Sequence, residues 1–188
     1  MRVWKLGMWV LAAAVTALSG LAAQVGTAQG NEIITATAIP SEGMAGATSR
    51  VRIQITSRTT EEERKSLLAA FQKSEADGMA LLRTMSKGYI NIEGQPGRKI
   101  EAVFTRQDNN GAELVVIGEH VLSKLETARG VKATDFPIAG VHIQFDAGGN
   151  PLGGEVFPAV KLKVTPDGFV DFETDKTNKV VLTEIRRR

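Results

Sequence analysis

The sequence predicts a mainly antiparallel α+β domain of eight to nine strands, arranged as a barrel or a sandwich, with a two-helix insertion after the second strand. Three observations carry that expectation. Apolar residues alternate with polar ones in short runs along most of the chain, as strands do when one face meets a core and the other meets water. Turn residues separate these runs at hairpin spacing. The helical period occurs once, near the start, whereas a doubly wound sheet would need helices between its strands throughout.

The 188 residues are 43% apolar and 23% charged, a composition that suits one folded domain of ordinary size. There is no cysteine. Disulfide frameworks, thiol nucleophiles, zinc knuckles and a lipidated cysteine are therefore excluded, and imidazole chemistry is left to His120 and His142.

Arg2 and Lys5 precede an uncharged stretch over residues 6–30 whose apolar part runs through Leu11, Ala12, Ala13, Ala14, Val15 and Leu18. That is the pattern of a secretory signal, with Gly26-Thr27-Ala28 placing cleavage after Ala28 and Gly20-Leu21-Ala22 offering an earlier cut. An uncleaved anchor is the alternative, since about 20 residues of helix span a bilayer. The expected division is a signal peptide over residues 1–28 and a single β-rich domain over residues 29–188, exported to the periplasm or beyond. Removing the signal leaves 21 basic against 21 acidic residues and takes away both tryptophans. Net charge then gives no support to a nucleic-acid partner, and the remaining aromatics, seven Phe and Tyr89, supply few stacking platforms.

In the mature chain, residues 33–39 alternate apolar and threonine residues up to Pro40, and residues 50–57 alternate Val51, Ile53 and Ile55 with Arg52 and Gln54. These are the first two strands, joined by a small-residue loop. The period then changes. Thr59-Thr60-Glu61-Glu62-Glu63 contains two overlapping capping boxes and three glutamates suited to the positive end of a helix dipole. Leu67, Leu68 and Phe71 follow at helical spacing. A second helix over residues 75–85 turns Ala80, Leu81, Leu82 and Met85 inward and stops at Lys87-Gly88; Gly78 weakens it or marks its start.

Strands then resume. Residues 89–93 form a short one. Residues 99–106 place Ile100, Ala102 and Phe104 on one face, and Asp108-Asn109-Asn110-Gly111 turns into residues 112–118. Leu114, Val115, Val116 and Ile117 are apolar without a break, which marks a central strand. Residues 120–130 are irregular with a short helix. Ala139, Val141, Ile143 and Phe145 alternate with Gly140, His142 and Gln144, and Asp146-Ala147-Gly148-Gly149-Asn150-Pro151 ends that strand. Val156, Pro158, Val160, Leu162 and Val164 form the next inward face. Thr165-Pro166-Asp167-Gly168 turns into residues 169–173, and residues 180–185 make the last strand.

The residues that carry chemistry are few. Asp171, Glu173 and Asp175 recur at every second position, so a strand would project three carboxylates to one side, the oxygen donors that a hard cation such as calcium takes. The solvated face of an amphipathic strand explains the same alternation, and Lys176 stands where an EF-hand loop needs glycine. His142 with Asp135 or Asp146 is the candidate acid/base set. On the alternation of its strand, His142 points to solvent or into a polar lumen. No nucleophile elbow, zinc-protease helix, P-loop or dinucleotide-binding turn occurs. The terminal Arg186-Arg187-Arg188 is a soluble tail or a contact for an anionic surface.

The succession Thr59-Thr60-Glu61-Glu62, Leu67-Leu68, Leu81-Leu82, Gly88-Tyr89-Ile90, Thr134-Asp135-Phe136-Pro137, Asp146 with its glycine turn, and Ala159-Val160-Lys161-Leu162 resembles a group of small exported bacterial proteins of unknown function. The resemblance covers nearly all of the mature chain. It implies a single exported domain and brings no activity, catalytic residue or cofactor with it.

The function expected from these features is non-enzymatic binding of an apolar small molecule or an envelope partner, with no cofactor, no nucleic acid and no stable membrane insertion after signal cleavage. A hydrolase-type enzyme using His142, Asp135 and Asp146 is one alternative. A structural role through an exposed strand edge at residues 33–39 is another.

Overall fold

A computed structural model describes residues 31–40, 48–108, 111–119, 138–165, 170–173 and 180–188. Residues 1–28, expected as a signal, residues 41–47 before the second strand, residues 120–130, Asp135 and Asp175 lie outside the described residues. In chain order the elements are β1 (Glu32–Pro40), β2 (Ser49–Ile55), α1 (Glu61–Lys73), α2 (Glu75–Thr84), β3 (Gly88–Ile92), β4 (Arg98–Ile100), β5 (Ala102–Asp108), β6 (Gly111–Glu119), β7 (Ile138–Asp146), β8 (Pro151–Val164), β9 (Val170–Glu173) and β10 (Val180–Arg187). No helix among the described residues is long and apolar enough to cross a membrane.

The strands pair antiparallel in the order β4-β3-β2-β1-β10-β8-β7-β6-β5, with β9 beside β8. Only Glu101 separates β4 from β5, so the two ends of the sheet belong to one kinked strand. Its first half pairs with β3 and its second half with β6. The Glu101 amide donates to the Ile117 carbonyl at 2.9 Å, and Thr59 occupies the free side of β5 by donating from its backbone to Val103 and accepting from it at its hydroxyl. The result is a nearly closed, barrel-like sheet with a two-helix insertion after β2. It has one more strand than the upper end of the expected range because the kink at Glu101 splits one strand in two.

One apolar cluster fills the barrel and contains Ile34, Ile53, Ile90, Ile100, Val103, Leu114, Val116, Val141, Ile143, Phe145, Val156 and Leu182 among others. A second lies outside the barrel wall. There Leu67, Leu68, Met79, Leu82 and Met85 of the helices pack on Ala102, Phe104, Val115, Ile117, Ile138 and Val160. This second layer explains the unbroken run in β6: Leu114 and Val116 face inward, while Val115 and Ile117 face the helices. Burying one such side chain stabilises by roughly 1.5–3 kcal/mol.

The sequence offered α1 two capping boxes, and the fold uses one. Thr60 and Glu63 cap each other's backbone, which leaves Thr59 to bond β5. Glu63 also accepts both of its 2.7 Å contacts from the buried Lys87 ammonium, tying the start of α1 to the segment before β3. Burial alone would raise the Glu63 carboxyl, but the Lys87 and Thr60 hydrogen bonds outweigh it and hold the group below its ordinary value. Gly78 lies within α2, not at its start. The Phe71 ring packs so closely that an added Cβ would come within 2.4 Å of it, so glycine is what allows the two helices to meet.

Strict alternation fails at several bulge-like irregularities among the described residues, and three of them correct an expectation. At Glu101 the phase flips, so Ile100 joins the interior while Ala102 and Phe104 face the helices. In β8 the register slips between the Ile138–Val160 and Gly140–Phe157 pairs. Val156 therefore points inward, whereas Val160 and Leu162 belong to the outer cluster. At Glu184 β10 carries one extra residue: Thr35 pairs with Arg186, but Thr37 pairs with Thr183. An inserted residue turns every later side chain to the opposite face.

Candidate functional site

The outer wall of the barrel divides in two. Helices cover it over β5, β6 and β7, but over β1, β2, β3 and β10 it carries polar side chains and a groove of about 730 Å³. The groove is lined by Thr35, Thr37, Arg50, Arg52, Asn91, Glu93, Gln95, Glu184 and Arg186, with Ala36, Val51, Ile92 and Gly94 between them.

Strand register explains why these residues meet. Asn91 stands opposite Arg52, Arg52 opposite Thr35, and Thr35 opposite Arg186, forming one row across four strands. Side chains directly opposite one another share a face. Two residues further along, Arg50 stands opposite Thr37, and the Glu93 amide donates to the Arg50 carbonyl at 2.9 Å. The Thr37 hydroxyl donates to Glu184 at 2.8 Å, which completes a second row.

The bulge in β10 makes the first row possible. Val180 and Leu182 face the interior, and without the extra residue Glu184 and Arg186 would follow them inward. With it, Ile185 packs against the core and Arg186 turns out to the groove. Glu184 has φ +50°, the one positive value at a non-glycine residue among those described. Such a conformation costs of order 1–3 kcal/mol and persists where the surrounding structure holds it. The same flip brings Arg187 over the Phe145 ring, 5.2 Å from its centre, with its Nε 2.7 Å from Glu32 Oε1. That carboxylate oxygen accepts no directed hydrogen bond, so the contact is an ion pair by proximity. Arg58 Nη2 binds the other Glu32 oxygen at 2.5 Å. The Arg188 backbone exchanges two hydrogen bonds with Ile33. Arg186 and Arg187 are thus part of a strand and not a soluble tail, which extends the last strand beyond its expected end at Ile185, and Arg188 is held to β1 by its backbone.

The described candidates named from sequence lie elsewhere. His142 faces outward from β7 and its Nε2 pairs with Glu113 Oε1; the barrel interior is apolar, so it does not enter a polar lumen. Glu155 stands opposite His142 in the register. Asp146 lies four residues further along the strand, about 13 Å away at about 3.3 Å per residue. Its carboxylate accepts from the Asn150 side chain and from the Asn150 backbone at 2.8 Å, and these bonds hold the group below its ordinary value. It closes a hairpin and does not pair with His142. Asp171 and Glu173 are in β9, where the register sets Lys163 and Lys161 opposite them. Among the described residues, no group of three acidic or histidine side chains is placed to hold a metal ion. Residues 33–39 offer no exposed edge, because β1 is paired along one side with β2 and along the other with β10.

Comparison with protein-family models, curated proteins and solved structures finds no match.

Proposed function

We propose that the protein is an exported, non-enzymatic binding domain that receives its small-molecule ligand or envelope partner on the outer face of β1, β2, β3 and β10. The carrying observation is the groove of about 730 Å³ on that face, a volume in the range of small-molecule sites. The barrel interior supports an apolar ligand less well, because buried aliphatic side chains from every wall strand occupy it. Ile39, Val181 and Tyr89 are exposed on the same outer face, adding apolar area that a partner surface would cover. Export rests on the leader pattern over residues 1–28.

Native mass spectrometry of the purified protein after incubation with an envelope extract tests this reading. A retained mass that is lost in Thr35→Trp, where an indole fills the groove, is the expected result. Retention unchanged by the substitution, or no retained mass at all, refutes it.

A further inference from the structure

We infer that the row Asn91–Arg52–Thr35–Arg186 is an oxyanion site, and that the ligand is a soluble polar molecule with one carboxylate or phosphate end. This rests on the groove being the binding face. Strands lie about 4.8 Å apart, so Arg52 and Arg186 are about 10 Å apart at the backbone with the Thr35 hydroxyl between them. From that separation two long side chains can converge on one anion, each offering a planar fork of donors. Within the described residues neither guanidinium takes part in an ion pair. Both are exposed, as is Thr35.

The second row limits what else can bind. Arg50 lies between Glu93 and the Thr37–Glu184 pair, so this part of the groove carries two carboxylates against one guanidinium. A second anionic group placed about 7 Å along the strands would meet those carboxylates. Hydroxyl or amino groups on the ligand would be accepted there instead. The strained turn at Glu184 supports the assignment independently. It costs the fold stability, yet it is what places Arg186 beside Thr35 and Glu184 in the second row.

The test is a titration of the purified protein with inorganic phosphate and, separately, with acetate, followed by amide chemical shifts. The shifts are expected to concentrate at Thr35, Arg52, Asn91 and Arg186 and to weaken as salt is raised. Arg52→Gln with Arg186→Gln should lower affinity at least tenfold, while Arg52→Lys with Arg186→Lys, which keeps charge but loses the forks, should lower it several-fold. Unchanged amide positions at Ile143 and Leu82, away from both substitutions, establish that each variant is folded. Shifts elsewhere, equal affinity in the double Gln variant, or binding only to phosphatidylglycerol vesicles overturns the inference. If these anions fail but Thr35→Trp still abolishes capture from the extract, the binding face stands and its oxyanion chemistry falls. If the anions bind this row while capture ignores Thr35→Trp, the reverse holds.

Discussion

The two halves of the barrel wall share an interior and differ on the outside. Over β5, β6 and β7 the outer residues include Phe104, Val115, Ile117 and Ile138, all buried beneath Leu67, Met79, Leu82 and their neighbours. Over β1, β2, β3 and β10 the corresponding positions are Thr35, Arg52, Asn91 and Arg186, and neither described helix packs on them. A sheet buried on both faces reads as a continuous apolar run, and one covered on a single face reads as an alternation. The same wall therefore buries one part of its outer face beneath the helices and keeps polar side chains on the other.

The largest test of this contrast is truncation under the helices. Leu82→Ala is expected to cost about 2–5 kcal/mol in urea unfolding, because it opens a cavity in a layer that cannot collapse freely. Arg52→Gln with Arg186→Gln on the bare half should stay within about 0.5 kcal/mol. Equal losses would mean that the bare half also depends on its outer side chains.

Lys87→Met tests the tie between α1 and the barrel. It should cost about 1–3 kcal/mol near neutral pH, between the values for exposed and buried pairs, since Glu63 remains partly exposed. The folded Glu63 carboxyl lies below its unfolded value near 4.5, so its contribution is present above that pH and is lost as pH falls through the folded value. Removing Lys87 should flatten that acid-side slope, measurable as unfolding midpoints from pH 6 down to 3.

Gly140→Ala sharpens the contrast at the margin of the covered half. The Phe172 ring lies over this glycine, 2.4 Å from where a Cβ would stand, and it also stacks at a tilt on Phe157 with centres 5.7 Å apart. Displacing it should cost about 1–3 kcal/mol, and thermal unfolding would show it.

Much of this architecture was legible because its signals are local. The Leu114 to Ile117 run announced a strand covered on both sides, and the Thr60–Glu63 box announced the start of α1. The phase flips were harder to see, since a period of two was assumed to continue through each strand. Their trace is a spacing of three between inward residues, at Ile100 and Val103 and again at Leu182 and Ile185. The groove was not legible. Arg52 could be assigned to an outer face, but Thr35 and Arg186 become neighbours only when the first and last strands pair, and no local pattern encodes that contact. His142 and Asp146 failed to meet for a related reason: even spacing along one strand separates residues as firmly as it aligns them.

The contrast between covered and bare halves is tested most directly by the broadening of methyl signals by a soluble paramagnetic agent. Thr35 and Thr37 methyls should broaden strongly, while those of Val115 and Ile117, which also face out from the barrel, should stay sharp beneath the helices. Equal broadening of the two sets, or protection of Thr35, would contradict the account.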